Sequence, residues 1–152
     1  MKRPASMLGR RVVLWPMLMA PAAALIAGCG APGVTSSRLQ DAVGVSFSRL
    51  YVLQQSELGH AVSPPDRWAA CTRNGSAALT GAGGWTCIVH FPAGDGHIEP
   101  LPFDVEVQPA GCYTAAGPAA AVGPQRMQTS SGTGVTNPLF AFDGCLDPGS
   151  AS

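Results

Sequence analysis

Residues 37–58, SRLQDAVGVSFSRLYVLQQSEL, contain the strongest structural signal of the chain, because their apolar residues recur at helical spacing. The stripe that this spacing defines consists of Leu39, Val43, Phe47, Leu50 and Leu53, with Tyr51 and Leu58 beside it. Ser37 and Gln40 fit a capping box at its start, and Gly59 suits the position after its end. Gly44 is expected to mark a close contact, since an interior glycine costs a helix about 1 kcal/mol relative to alanine. The stretch therefore predicts one long amphipathic helix.

Downstream of the helix, short segments alternate apolar and polar residues as half-buried strands do. The alternation is cleanest in residues 103–108, FDVEVQ, and in residues 85–91 it puts Trp85 on one face and His90 on the other. Further elements are predicted as strands at 112–115 and 139–142, a weak strand at 125–129, and a short helical turn at 66–71. We therefore predict an α+β fold, in which one N-terminal helix packs on a small antiparallel sheet of three to five strands.

The charges are unevenly distributed along the 152 residues. Lys2, Arg3, Arg10 and Arg11 lie in the first eleven positions, which contain no acidic residue. Residues 29–152 then carry five basic and nine acidic side chains, a formal charge of −4. A surface of that sign disfavours binding to the phosphates of nucleic acid.

The N-terminus has the organisation of an export signal. Residues 1–11 are basic, and residues 12–27 form an apolar run that is shorter than the roughly 20 residues of a membrane span. The run ends in Ile26-Ala27-Gly28-Cys29, which resembles a bacterial lipobox. Together with the composition, this motif makes the chain similar to small actinobacterial lipoproteins.

The resemblance to a lipobox implies that a diacylglycerol is attached to the Cys29 thiol and that the preceding peptide bond is cleaved. Residues 1–28 are then expected to be a signal peptide, and residues 29–36 the lipidated cysteine with its tether. The lipid bilayer becomes a partner through acylated Cys29, and the chain is expected at the extracytoplasmic face of the cell membrane. Arg10-Arg11 also resembles a twin-arginine export signal, and the choice between that route and general secretion stays open.

The four other cysteines, Cys71, Cys87, Cys112 and Cys145, predict two disulfides, because an even number outside the cytoplasm favours bridges. Four cysteines allow three connectivities. We favour Cys71–Cys87 with Cys112–Cys145, since the first pair flanks a glycine-rich loop, and the other connectivities stay open. The spacings of 16, 25 and 33 residues do not resemble a zinc module.

Candidate groups for chemistry are few in this chain. His90 and His97 flank a turn that contains Asp95, which suggests a loose metal site, but the spacing matches no known motif. Asp104 and Glu106 share one face of a strand and are more typical of a solvated surface than of a catalytic carboxylate pair. Sequence motifs of hydrolases, metalloproteases and nucleotide-binding proteins are absent from the chain. We therefore expect a protein that is not an enzyme and that has no metal and no cofactor.

The remaining expectations concern function. Residues 37–146 are expected to form a single extracytoplasmic domain, followed by a flexible tail at 147–152, and Trp68 and Trp85 are expected to pack in its core. The leading prediction is a membrane-anchored, non-catalytic interaction module with a protein partner at the envelope. One alternative is a protease inhibitor, since the cysteine gaps resemble the subtilisin-inhibitor class, which implies an inhibitory loop at Tyr113–Ala116. The other alternative is a small-ligand-binding lipoprotein.

Overall fold

A computed structural model describes residues 33–93 and 96–147, so Cys29, the signal peptide, Asp95 and most of the tail lie outside the described residues. The elements in chain order are α1 (Ser36–Glu57), β1 (Ala69–Arg73), β2 (Gly83–Pro92), β3 (Ile98–Val107), β4 (Cys112–Ala116), α2 (Ala119–Val122), β5 (Arg126–Gln128), β6 (Gly134–Thr136) and β7 (Ala141–Cys145).

Five of the strands form one antiparallel sheet in the order β1-β2-β3-β4-β7, and β5 pairs with β6 in a separate hairpin. The long helix α1 packs on one face of the five-stranded sheet. The predicted α+β architecture is confirmed, with the sheet at the upper end of the predicted strand number. None of the described helices combines the length and apolarity that a membrane span requires.

The N-terminus of α1 differs from the predicted capping box. Thr35, not Ser37, is the N-cap, and its hydroxyl accepts a hydrogen bond from the Arg38 N–H. Thr35 also forms a β-bridge with Thr80. The N-cap of the helix therefore lies two residues before the predicted one. The Gln40 amide reaches back to the Ser36 hydroxyl at 2.9 Å, and that hydroxyl donates to the Cys71 carbonyl. At the other end Gly59 follows the helix with φ +84°, as predicted.

In the last two turns of α1, the residues that are buried differ from those that the helical spacing predicted. Leu39, Val43 and Phe47 are buried, but Leu53 is 47% exposed. The buried line instead continues through Tyr51 and Gln54. The Gln54 amide can be buried because it donates to the carbonyl of Val122 and, at 2.7 Å, to Oδ1 of Asn137.

Gly44 marks a close contact between α1 and the segment that leads into β1, as predicted. A Cβ atom at this position would lie 1.9 Å from the Arg67 carbonyl oxygen. One helical turn further on, the buried Ser48 hydroxyl donates to the Pro65 carbonyl. These contacts hold the segment extended against the helix. The predicted helical turn at 66–71 is therefore wrong, and residues 69–73 are β1.

The two predicted disulfides are confirmed, and they lie on opposite faces of the sheet. Cys71 and Cys87 face each other across β1 and β2 on the face that α1 covers, and both are buried. Cys112 and Cys145 face each other across β4 and β7, and Cys145 is exposed. One bridge therefore belongs to the core and the other to the surface.

The connection between β4 and β7 contains α2 and the β5–β6 hairpin. The predicted weak strand at 125–129 is confirmed as β5, Arg126–Gln128. Asn137 is buried and ties this connection together by donating to the Val122 and Pro124 carbonyls. The last strand begins two residues later than predicted, at Ala141.

Candidate binding surface

The sheet face opposite α1, here called the outer face, carries side chains that are mostly exposed. Its outward residues form successive rows across the strands. In order, the rows are Pro92 and Ile98; His90 and Pro100, with Trp68 against His90; Ala70, Ile88 and Pro102; Thr72, Thr86, Asp104, Ala116 and Ala141; Gly84, Glu106, Thr114 and Asp143; Cys112 and Cys145. One end of the outer face is therefore apolar and the other is acidic.

Trp68 dominates the apolar end. Its side chain is 45% exposed and stacks on the His90 imidazole, with ring centroids 4.1 Å apart and planes inclined by 20°. The same imidazole is also held by Asp66, whose carboxylate oxygen lies 3.0 Å from His90 Nδ1. The indole is thus exposed to solvent and at the same time held in one orientation.

Other apolar side chains extend the patch around Trp68. Ile88 and Ile98 are 37% and 57% exposed. Pro102 lies directly beside Ile88, and Pro100 lies in the row between Ile88 and Ile98. A single exposed apolar residue is ordinary on a protein surface, whereas a contiguous patch marks a place of interaction. Trp68, Ile88 and Ile98 form such a patch at one end of the sheet.

The two prolines also define how this end can be recognised. β4 pairs with β3 only from Asp104 onward, so on that edge residues 98–103 of β3 have no strand partner among the described residues, and this stretch is called the open edge here. Pro100 and Pro102 lie in that stretch, and proline has no N–H to offer a further strand. The open edge is therefore a poor template for strand addition, and contact through the side chains of the outer face is favoured instead.

At the acidic end, Asp104 and Glu106 of β3 face outward with Asp143 of β7, as the alternation predicted for β3. These three carboxylates form no ion pair within the described residues. Next to them lies a shallow hollow of about 350 Å³, where Gly84, Ala116 and Ala141 supply little or no side chain. Glu106 lines this hollow, and its Oε2 lies 3.6 Å from the point where a Cβ would be if Gly84 had a side chain.

A second concave surface lies between α1 and the end of β7. This cleft of about 360 Å³ is lined by Arg38, Asp41, Arg49 and Tyr113, among others. The Tyr113 hydroxyl is within 3.0 Å of the Ser46 hydroxyl, and burial raises the pKa of the Tyr113 phenol above its ordinary value. The hydrogen bond with Ser46 lowers the Tyr113 pKa in part, and Asp143 raises it by repelling the phenolate, so the net direction is upward. The group therefore stays a neutral hydrogen-bonding phenol here, with no feature of an activated nucleophile.

The predicted site residues are only partly brought together. Asp95 lies outside the described residues, and His90 is paired with Asp66, which sequence reasoning did not connect to it. Within residues 33–93 and 96–147, no group of three or more metal-ligating side chains is found. Trp85 is fully buried as predicted, but the prediction of a core position for Trp68 is wrong. Trp68 precedes β1 and points away from α1, to a side where none of the described residues form a core that could bury it.

The inhibitory loop implied by the subtilisin-inhibitor resemblance is contradicted. Residues 113–116 lie within β4, which is paired with β3 on one side and with β7 on the other. Tyr113 and Ala115 are buried, so a protease cleft could not reach this backbone.

Comparison of the chain with protein-family models, with curated proteins and with solved structures gives no match. The surface must therefore be interpreted from its own geometry.

One sequence signal could have revealed the apolar end of the outer face. The alternation in 85–91 puts Ile88 and His90 on the face opposite Trp85, so their exposure follows once 85–91 is accepted as a strand. The position of Trp68 needs the register of β1 against β2, in which Ala69 faces Val89. The sequence predicts a helical turn at 66–71 and therefore does not provide this register.

Proposed function

We propose that this protein is a lipid-anchored, extracytoplasmic interaction module that binds a protein partner of the cell envelope through its outer face. Acylated Cys29 holds the chain to the bilayer, and residues 1–28 are a signal peptide that is removed. The module is non-catalytic, in keeping with a sequence that carries no motif of the enzyme classes considered.

The observation that carries the proposal is the immobilised, exposed indole of Trp68. Tryptophan is enriched among the few residues that supply most of the binding energy of interfaces. A side chain that is already ordered loses little conformational entropy when a partner covers it. Stacking on His90, which is itself held by Asp66, provides that order before binding.

The short tether keeps the module close to its anchor. Residues 30–35 separate Cys29 from the start of α1 and reach at most about 22 Å when fully extended. The module therefore works near the membrane, where its partners are envelope proteins. The alternatives have less support, since residues 113–116 offer no exposed loop to a protease and the two concave surfaces are open and shallow.

Crosslinking in intact cells, followed by purification and mass spectrometry, tests the proposal. We expect one recurrent envelope protein, and we expect Trp68→Ala to weaken its association about 30-fold, the usual effect of losing about 2 kcal/mol at an interface hot spot. Leu53→Ala is the matched control, because Leu53 is 47% exposed on α1 and lies away from the outer face. Cys29→Ala should move the protein from the membrane fraction to the soluble one.

Two results would contradict the proposal. If Trp68→Ala and Leu53→Ala recover the same partner in the same yield, the outer face is not the binding surface. If the Cys29→Ala protein stays in the membrane fraction, the lipid anchor is wrong.

A further inference from the structure

We infer that the outer face recognises a cationic polypeptide segment, in which an arginine or lysine of the partner lies close to an apolar side chain. This inference rests on the proposed function, since it names the class of partner for the same surface. It is carried by the distribution of charge and shape across the rows of the outer face.

The outer face has negative charge without compensation. Asp104, Glu106 and Asp143 point outward, and no outward position of the five strands is occupied by lysine or arginine. Arg73, at the end of β1, belongs to the opposite face and donates its guanidinium to the Thr80 and Ala82 carbonyls. Bringing a cation to this face therefore displaces no existing ion pair, whereas an anionic bilayer would be repelled.

The hollow beside the carboxylates gives a cation a place to enter. Its floor is built around Gly84, Ala116 and Ala141, so a side chain from a partner can approach the sheet backbone there. Asp104 and Glu106 then stand beside the entering group. Arginine suits such a site better than lysine, because its planar guanidinium can pair with two carboxylate oxygens at once.

The apolar end lies at a fixed distance from the hollow. Trp68 and Pro100 share one row, and Asp104 lies two rows away, four residues further along β3. At about 3.3 Å per residue, the two rows are about 13 Å apart. Trp68 also lies on the β1 side, two strands or about 10 Å across the sheet from β3, so the diagonal distance is about 16 Å. Four extended residues of the partner cover about 13 Å and the long arginine side chain covers the rest, so an apolar side chain can lie on Trp68 while a cation four positions away enters the hollow.

Peptide binding to the purified mature lipidated protein, in a neutral detergent, tests the inference. The probe is a fluorescein-labelled peptide with two Leu-Gly-Ser-Gly-Arg units, and the comparison peptides carry citrulline or glutamate in place of arginine. In fluorescence anisotropy we expect the arginine peptide to bind about tenfold more tightly than the citrulline peptide, as expected for one charge-assisted hydrogen-bonded pair. The glutamate peptide should bind more weakly than both.

Paired variants locate the binding site on the protein. The double variant Asp104→Asn with Glu106→Gln should bind the arginine and citrulline peptides equally. Asp41→Asn with Asp147→Asn removes the same charge from the cleft beside α1 and should leave the preference for arginine unchanged. Circular dichroism and a melting curve show that each variant is folded.

The inference is overturned if the arginine peptide does not bind, if it binds no better than the citrulline peptide, or if both double variants lose the preference equally. Each of these results leaves the proposed function standing when Trp68→Ala lowers the yield of crosslinked partner in cells and Leu53→Ala does not. Failure of the cellular experiment with the unaltered protein would instead remove the proposed function itself.

Discussion

Gly44→Ala is expected to destabilise the protein by about 3 kcal/mol, although the same change in an exposed helix stabilises by about 1 kcal/mol. The sign reverses because the new Cβ would lie 1.9 Å from the Arg67 carbonyl oxygen. That oxygen belongs to backbone, which cannot rotate away as the end of a flexible side chain can. Either α1 must move off the segment before β1, or the segment must leave the helix.

Displacement of this segment also disturbs what it holds in place. Ser48 donates to the Pro65 carbonyl on one side of Arg67, and Asp66 and Trp68 flank it in the chain. We therefore expect Gly44→Ala to alter Trp68 fluorescence as well as the free energy of unfolding. Gly134→Ala in β6 is the control, because its Cβ would meet only the Arg126 side chain, at 3.6 Å.

Urea unfolding of both variants, followed by circular dichroism, measures the effect. The control should stay within about 0.5 kcal/mol of the unaltered protein, as surface substitutions usually do. A Gly44→Ala protein that is as stable as the unaltered protein, or more stable, would show that α1 does not approach Arg67 as described.

The second large effect concerns the two disulfides, which differ in loop length and in exposure. On chain entropy alone, the loop of 16 residues closed by Cys71–Cys87 contributes about 3 kcal/mol, and the 33-residue loop closed by Cys112–Cys145 about 4 kcal/mol. We expect the opposite order when each pair is replaced by alanine. Cys71 and Cys87 are buried against α1, so removing their sulfur atoms also leaves a cavity in the core.

The free energy of unfolding is expected to fall by about 5 kcal/mol when the core pair is replaced and by about 4 kcal/mol when the surface pair is replaced, each enough to unfold a domain of marginal stability.

The difference in exposure between the two disulfides also predicts the order in which they are reduced. Under a mild thiol reductant the Cys112–Cys145 bond should open first, because Cys145 is exposed and an attacking thiolate can reach it. Timed alkylation and mass spectrometry follow each pair separately. Reduction of Cys71–Cys87 first, or of both bonds together, would contradict the assignment of one bridge to the core.

The parts of the fold that could be predicted from the sequence are those with a strong local signal. In the helix, apolar residues recur at helical spacing over many residues, and in β3 apolar and polar residues alternate strictly. The four cysteines outside the lipobox allow only three sets of disulfides. β1 has no such signal, since Ala69–Arg73 reads as two small residues, a cysteine and two polar residues. It becomes a strand because it pairs with β2, a contact between residues far apart in the sequence.

The candidate binding surface was predictable to the same degree. Alternation predicted that His90, Asp104 and Glu106 point away from the core, and they do. The prediction for Trp68 is wrong, because a large aromatic residue three positions from a disulfide-bonded cysteine is normally interpreted as part of the core. Its stacking on His90 and the link of His90 to Asp66 depend on three segments that meet only in the folded chain. Likewise, Leu53 was expected in the core because the polar network of Gln54 and Asn137 cannot be read from helical spacing.

The most direct test of the outer face as the binding surface is site-specific photo-crosslinking in living cells. A photoreactive phenylalanine derivative is placed at Ile88 on the outer face or at Leu53 on α1, two positions that are both apolar and exposed. We predict that the derivative at Ile88 captures one envelope protein, through a basic segment that mass spectrometry identifies, and that the derivative at Leu53 captures none. Capture of the same protein from Leu53 with none from Ile88 would contradict the account, because the partner would then cover the helix and not the sheet.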